Sequence, residues 1–101
     1  QAWHGHPGRF IRAANSTQTW AKPLSPSSHA VLVFSDLDAV GSTAVATVDL
    51  VKDLGLSAAT AAGAQVHDVW RGKELGAVGA SGRFTTDALA KHDSVLLKFS
   101  W

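Results

Sequence analysis

Apolar residues along the chain recur with period two far more often than with period 3.6, the mark of extended strands. RFIRAA (9–14) follows the turn residues GHPG (5–8). TQTWAKPL (17–24) is closed by Pro23 and by the turn-forming SPSS (25–28). HAVLVFS (29–35) is the most apolar run: Val31 and Val33 point one way, and Ala30, Leu32 and Phe34 the other. A surface strand of an isolated sandwich needs only one apolar face, so this strand is expected to be central or covered by another body.

TAVATVDLV (43–51) is rich in β-branched residues and reads as a fourth strand. KDLGLSAATAAGA (52–64) breaks the alternation. It fits an irregular crossover, the preferred reading, or one short helical turn capped by Ser57. QVHDVW (65–70), RGK (71–73) and ELGAV (74–78) carry a hairpin signal, and GRFTTDA (82–88) and SVLLKFSW (94–101) complete the set. About eight short strands at this spacing predict an all-β, antiparallel two-sheet β-sandwich of Greek-key type, over residues 9–101.

Composition narrows the classes of function. A chain of 101 residues suits one domain with one core. With no cysteine, neither disulfides nor thiolate metal sites hold it together. The net charge is +1 and no Lys/Arg cluster exceeds two residues, so no nucleic-acid partner is expected. No apolar run approaches the roughly 20 residues of a membrane span, and no membrane partner is expected either. The chain begins at Gln1 with no basic-then-apolar leader, which is expected of a processed or excised piece.

His92 and Asp93 stand side by side before the last strand, two members of a hydrolase triad in adjacent positions. In a strand, neighbouring side chains point to opposite faces and could not address one atom together. In a turn, Asp93 bonds a nearby backbone N–H instead. Ser94 and Ser100 have no Gly-x-Ser-x-Gly elbow around them. The pair is read as turn chemistry, and no catalytic or substrate-binding residue is assigned.

HDVWRGKELGAV (67–78), followed by LAKHDSVLLKF (89–99), resembles the closing strands of the small C-terminal β-sandwich of the melibiase-type α-galactosidases and α-N-acetylgalactosaminidases. Asp68, Val69, Trp70, Leu75, Gly76, His92, Val95, Leu96 and Leu97 occupy the places of that pattern, with Val69 where the family commonly has Leu. TWAKPLSPSSHAVLVFS (19–35) is similar to the sandwich's opening, although Ser35 and Asp36 stand where Asn-Arg is usual. DLGL (53–56) matches the crossover, and residues 1–8 resemble the junction with the preceding catalytic barrel.

The resemblance implies a parent enzyme that hydrolyses terminal α-galactosides with retention, using two aspartates on a (β/α)8 barrel. None of Asp36, Asp38, Asp49, Asp53, Asp68, Asp87 and Asp93 matches a catalytic motif of that family. The expectation is therefore a non-catalytic accessory domain that stabilises the barrel, with that barrel as its partner and no cofactor. The alternatives are a free carbohydrate-binding module and a structural adaptor subunit of a larger assembly. The resemblance also implies a secretory route, with an extracellular or lysosomal/vacuolar destination.

The remaining candidates are local. His4 and His6 lack a third ligand at a recognisable spacing and read as turn residues, so no metal is assigned. Asn15, in NST between the first two predicted strands, is a valid N-glycosylation site. Trp20, Trp70 and Trp101 are candidate sugar platforms or, on the blander reading, core and domain-contact residues. Trp70 has Asp68 on its own strand face. His29 and His67 are read as strand-surface residues. Arg9 and Arg12, three apart, are expected on opposite faces of a strand as solvated surface.

Overall fold

The computed structural model describes residues 9–14, 16–36 and 43–101. Strands β1 (Arg9–Ala14), β2 (Thr17–Ser25) and β3 (Ser28–Ser35) run as an antiparallel meander. The chain then crosses to β4 (Thr47–Asp49), passes through helix α1 (Ala58–Gly63), and returns as the hairpin β5 (Gln65–Asp68) and β6 (Lys73–Ala77). β7 (Arg83–Thr85) pairs with β4, and β8 (Ser94–Ser100) closes the chain between β3 and β5. The result is a six-stranded sheet in the order β1-β2-β3-β8-β5-β6 facing a two-stranded sheet, β4-β7. This is the all-β, two-sheet sandwich expected from the alternation, with eight strands among the described residues.

The core lies between the two sheets. Val31, Val33, Leu97, Phe99 and Val66 line the inner face of the large sheet and are fully buried. Val48, Leu50, Ala61, Ala64 and Leu89 cover them from the β4-β7 side and from α1. Phe84 of β7 meets Phe99 of β8 edge-to-face, with ring centroids 5.8 Å apart, an arrangement worth about 0.5–1.5 kcal/mol beyond its buried area.

Several local expectations need correction. Residues 43–51 form only a three-residue strand, preceded by a single bridge between Ala44 and Leu89. The expected crossover loop at 52–64 contains α1, whose first turn is capped by the Ser57 hydroxyl accepting from Thr60 N at 3.2 Å. Its alanines let it lie close against the segment that leads into β7: Gly82, at φ +67°, sits where a β-carbon would come within 3.4 Å of Ala61 Cβ. β2 runs two residues past Pro23; among the described residues β1 pairs with it only as far as Ala21, and a missing N–H is tolerated where a strand lacks a neighbour. QVHDVW ends as a strand at Asp68; Val69 and Trp70 belong to the turn that Gly72 closes at φ +63°.

The largest correction concerns β1. Its register slips between Phe10 and Arg12, so that Ile11 is an extra residue opposite β2. Arg9 pairs with Ala21 and Arg12 with Thr19, two residues of the same β2 face, and the two arginines therefore share the inner side. Arg12 donates to the Asp53 carboxylate and, at 3.0 Å, to Thr47 O, while Arg9 donates to Asp53 O at 2.9 Å. They form a clasp between β1 and the crossover, where separate solvated side chains were expected.

Candidate functional site

The feature that the sandwich itself does not use is the outer face of the six-stranded sheet. The strand registers place Phe10 opposite Trp20, Trp20 opposite Leu32, and Leu32 opposite Leu96. Val69, whose N–H donates to Leu96 O at 2.9 Å, extends the same row toward β5. One apolar file thus crosses β1, β2, β3 and β8 and ends at the β5-β6 turn. Phe34 flanks it on β3. Phe10 and Trp20 lock edge-to-face at a centroid distance of 5.0 Å, and Phe10 remains 48% exposed.

None of Phe10, Trp20, Leu32, Phe34 and Leu96 belongs to the hydrophobic core cluster or packs against it. Leu96 is buried and Trp20, Leu32 and Phe34 are half-buried, while Phe10 and Val69 at the two ends are exposed, an apolar row of a kind that marks interaction surfaces. The neighbouring row is charged and polar apart from the buried Ala30: Lys22, Ala30, Lys98 and His67 lie opposite one another in turn, and His67 Nδ1 meets Glu74 Oε2 at 2.6 Å. An apolar file beside a polar border is the composition of a contact surface. The doubly apolar reading of β3 holds in this geometry, Val31 and Val33 entering the core while Leu32 and Phe34 face outward.

The other candidate residues do not assemble into a reactive site. His92 takes a left-handed turn conformation, φ 56°, and Asp93 accepts from Ser94 N at 2.9 Å, as the turn reading requires. Asp68 and Trp70 do not share a face: Asp68 is buried, and Trp70 is 59% exposed in the turn. His67 is on the strand surface as expected. His29 is not; it is half-buried and stacks on Trp101 at a centroid distance of 5.5 Å. Burial, and secondarily the charge of Arg9, hold its pKa below the ordinary histidine value. Asp49 is held below the ordinary carboxylate range, chiefly by the backbone N–H of Lys52 and also by Arg83. Among the described residues no group of His, Asp and Glu could hold a metal ion. His4, His6, Asn15 and the junction at 1–8 lie outside the described residues.

With this geometry in place, comparison with known proteins assigns the class. Residues 14–99 match the family model of the α-galactosidase C-terminal β-sandwich domain. The chain belongs to that family. Among solved structures, α-galactosidase I from Mortierella vinacea superposes with a TM-score of 0.75 at 22% identity, covering 92% of this chain and 23% of that one. A GH27 β-L-arabinopyranosidase from Geobacillus stearothermophilus gives 0.72 at 24% identity, covering 97% of this chain and 21% of that one. The chain thus spans between a fifth and a quarter of the length of these two relatives by structure. No curated protein matches it.

Proposed function

We propose that this domain is the non-catalytic accessory part of an α-galactosidase-like glycoside hydrolase, seated by the outer face of its large sheet against the catalytic (β/α)8 barrel of the same polypeptide. The observation that carries the reading is the apolar file Phe10–Trp20–Leu32–Leu96, which the domain's own core leaves unused. Two facts support this occupant: the family match is to a C-terminal domain, and the relatives by structure are more than four times as long as the aligned region. A body that size offers the roughly 600–1,500 Å² over which domains within one chain usually meet. Burying the file stabilises both parts by about 25 cal/mol per Å² of apolar surface removed from water, less the ordering cost. The sandwich supplies no chemistry of its own in this reading; it supports the barrel from outside.

Leu32 and Val33 give the test, because adjacent residues address opposite faces. Leu32→Lys in the 101-residue domain should leave its melting temperature nearly unchanged, since Leu32 is only partly buried there. The same change in the barrel-bearing polypeptide should lower thermal stability and expose the barrel to proteolysis. An unchanged melt of the full-length polypeptide would remove the docking face.

A further inference from the structure

A cavity of about 210 Å³ opens at one end of the sandwich, between the inner face of the large sheet and the segment 84–89. It is separate from the docking face, which lies on the opposite side of the sheet. Its floor is apolar, formed by Val95 and Leu97 of β8 and by Phe84, whose ring is fixed edge-on against Phe99. Its wall carries four charged groups of balanced sign: Asp68 and Asp87, Arg71 and Lys73.

Asp68 is the unusual member. Its side chain is 4% exposed, yet it faces this cavity from the inner side of β5, opposite Leu97 of β8 and Lys73 of β6. One carboxylate oxygen accepts from Arg71 N at 3.1 Å and so closes the β5-β6 turn. That structural duty accounts for Oδ1. The nearest cationic nitrogen to Oδ2 is Arg71 Nε, at 3.7 Å, beyond hydrogen-bond reach. Oδ2 is the less committed of the two oxygens, and a carboxylate oxygen facing a cavity can accept from a ligand hydroxyl.

We propose that this cavity binds one neutral, polyhydroxylated ring of monosaccharide size. The charge balance disfavours a ligand of net charge: an anion would face Asp68 and Asp87, and a cation would face Arg71 and Lys73. A hydroxylated ring satisfies both pairs, donating to the carboxylates and accepting from the cations, while its C–H face rests on Phe84 and Leu97. The volume is below the 300–1,000 Å³ usual for larger organic ligands, which limits the occupant to a single ring. The proposal does not depend on the docking reading and can fail without affecting it.

The test titrates the folded 101-residue chain with glucose, galactose and mannose, and separately with inorganic phosphate, following the amide signals of residues 84–89 and the fluorescence of Trp70 in the adjoining turn. At least one hexose should bind with a dissociation constant of about 1–10 mM, the range a ligand of about a dozen heavy atoms reaches. Lys73→Ala and Asp87→Ala, both at exposed rim positions, should weaken that binding about tenfold while leaving the far-ultraviolet circular dichroism intact. Absence of any hexose response up to about 100 mM would overturn the proposal. Tighter binding of phosphate, or unchanged affinity in both variants, would overturn it equally.

Discussion

The Arg12 guanidinium donates to the buried Asp53 carboxylate 41 positions further along the chain, pinning the bulged edge strand to the crossover that carries α1. Asp53 is shared: its second oxygen accepts from Asp49 N at 2.9 Å. Removing Arg12 therefore leaves a nearly buried carboxylate with one partner fewer. Arg12 is itself 37% exposed, so solvent screening reduces what the pair contributes. Arg12→Ala and Asp53→Ala should each cost about 1–2 kcal/mol, lowering the melting temperature by about 4–8 °C per kcal/mol in a domain of this size. The double variant should lose less than the sum. Additivity within about 0.5 kcal/mol would show that the two residues do not act together.

How far the sequence anticipates this structure depends on how local each cause is. β1, β2, β3 and β8 announce themselves, because alternation over six to nine residues is a signal carried by each strand alone. The bulge at Ile11 does not: RFIRAA alternates as well with the extra residue as without it, and only pairing with β2 shows which residue is extra. The Arg12–Asp53 clasp inherits that blindness. Helix α1 is masked by its own composition, since AATAAG has no polar face against which an apolar stripe could be counted. Its one legible mark is Ser57. The docking face is half visible. AVLVF shows that β3 is apolar on both sides, but that Phe10, Trp20 and Leu96 stand in line with Leu32 follows from three separate registers. The cavity around Asp68 is not visible at all in the sequence, because its walls come from β5, β6, β7, β8 and the segment after β7.

Val33 has no accessible surface and lies in the centre of the inner face, between Thr19 of β2 and Val95 of β8. Val33→Asp would bury a carboxylate whose nearest donor in its file is the single Thr19 hydroxyl, at a cost of several kcal/mol against a typical total stability of about 5–15 kcal/mol. The domain should lose cooperative unfolding, seen as the disappearance of its thermal transition by circular dichroism. A wild-type transition would mean that the core is not where Val31, Val33 and Leu97 place it.

Ser57 supplies the side-chain cap of α1, and the helix is short enough for that cap to matter. Ser57→Ala should cost about 1 kcal/mol, read as a lower urea midpoint at unchanged slope. Ser57→Asp, which keeps an acceptor at the same place, should recover most of the loss. Equal destabilisation by both substitutions would argue that Ser57 acts through contacts other than the cap.

His29 makes stability depend on pH in the mildly acidic range. Its Nδ1 is buried without a hydrogen-bond partner among the described residues, so protonation there would create a buried N–H with nowhere to donate. Burial and the nearby Arg9 charge both lower its pKa from the ordinary value of 6.5. Above that value the histidine is neutral in folded and unfolded chains alike, and its contribution is complete. As the pH falls through 6.5 the unfolded chain takes up the proton first, so folding is progressively disfavoured until the folded His29 also titrates. The urea midpoint should therefore fall between about pH 7 and pH 5. The His29→Gln variant, subtracted from wild type, isolates this part of the slope, and Arg9→Gln should make it shallower without abolishing it, since burial is the larger cause. A His29→Gln variant that follows the wild-type pH profile point for point would place the acid sensitivity on other groups.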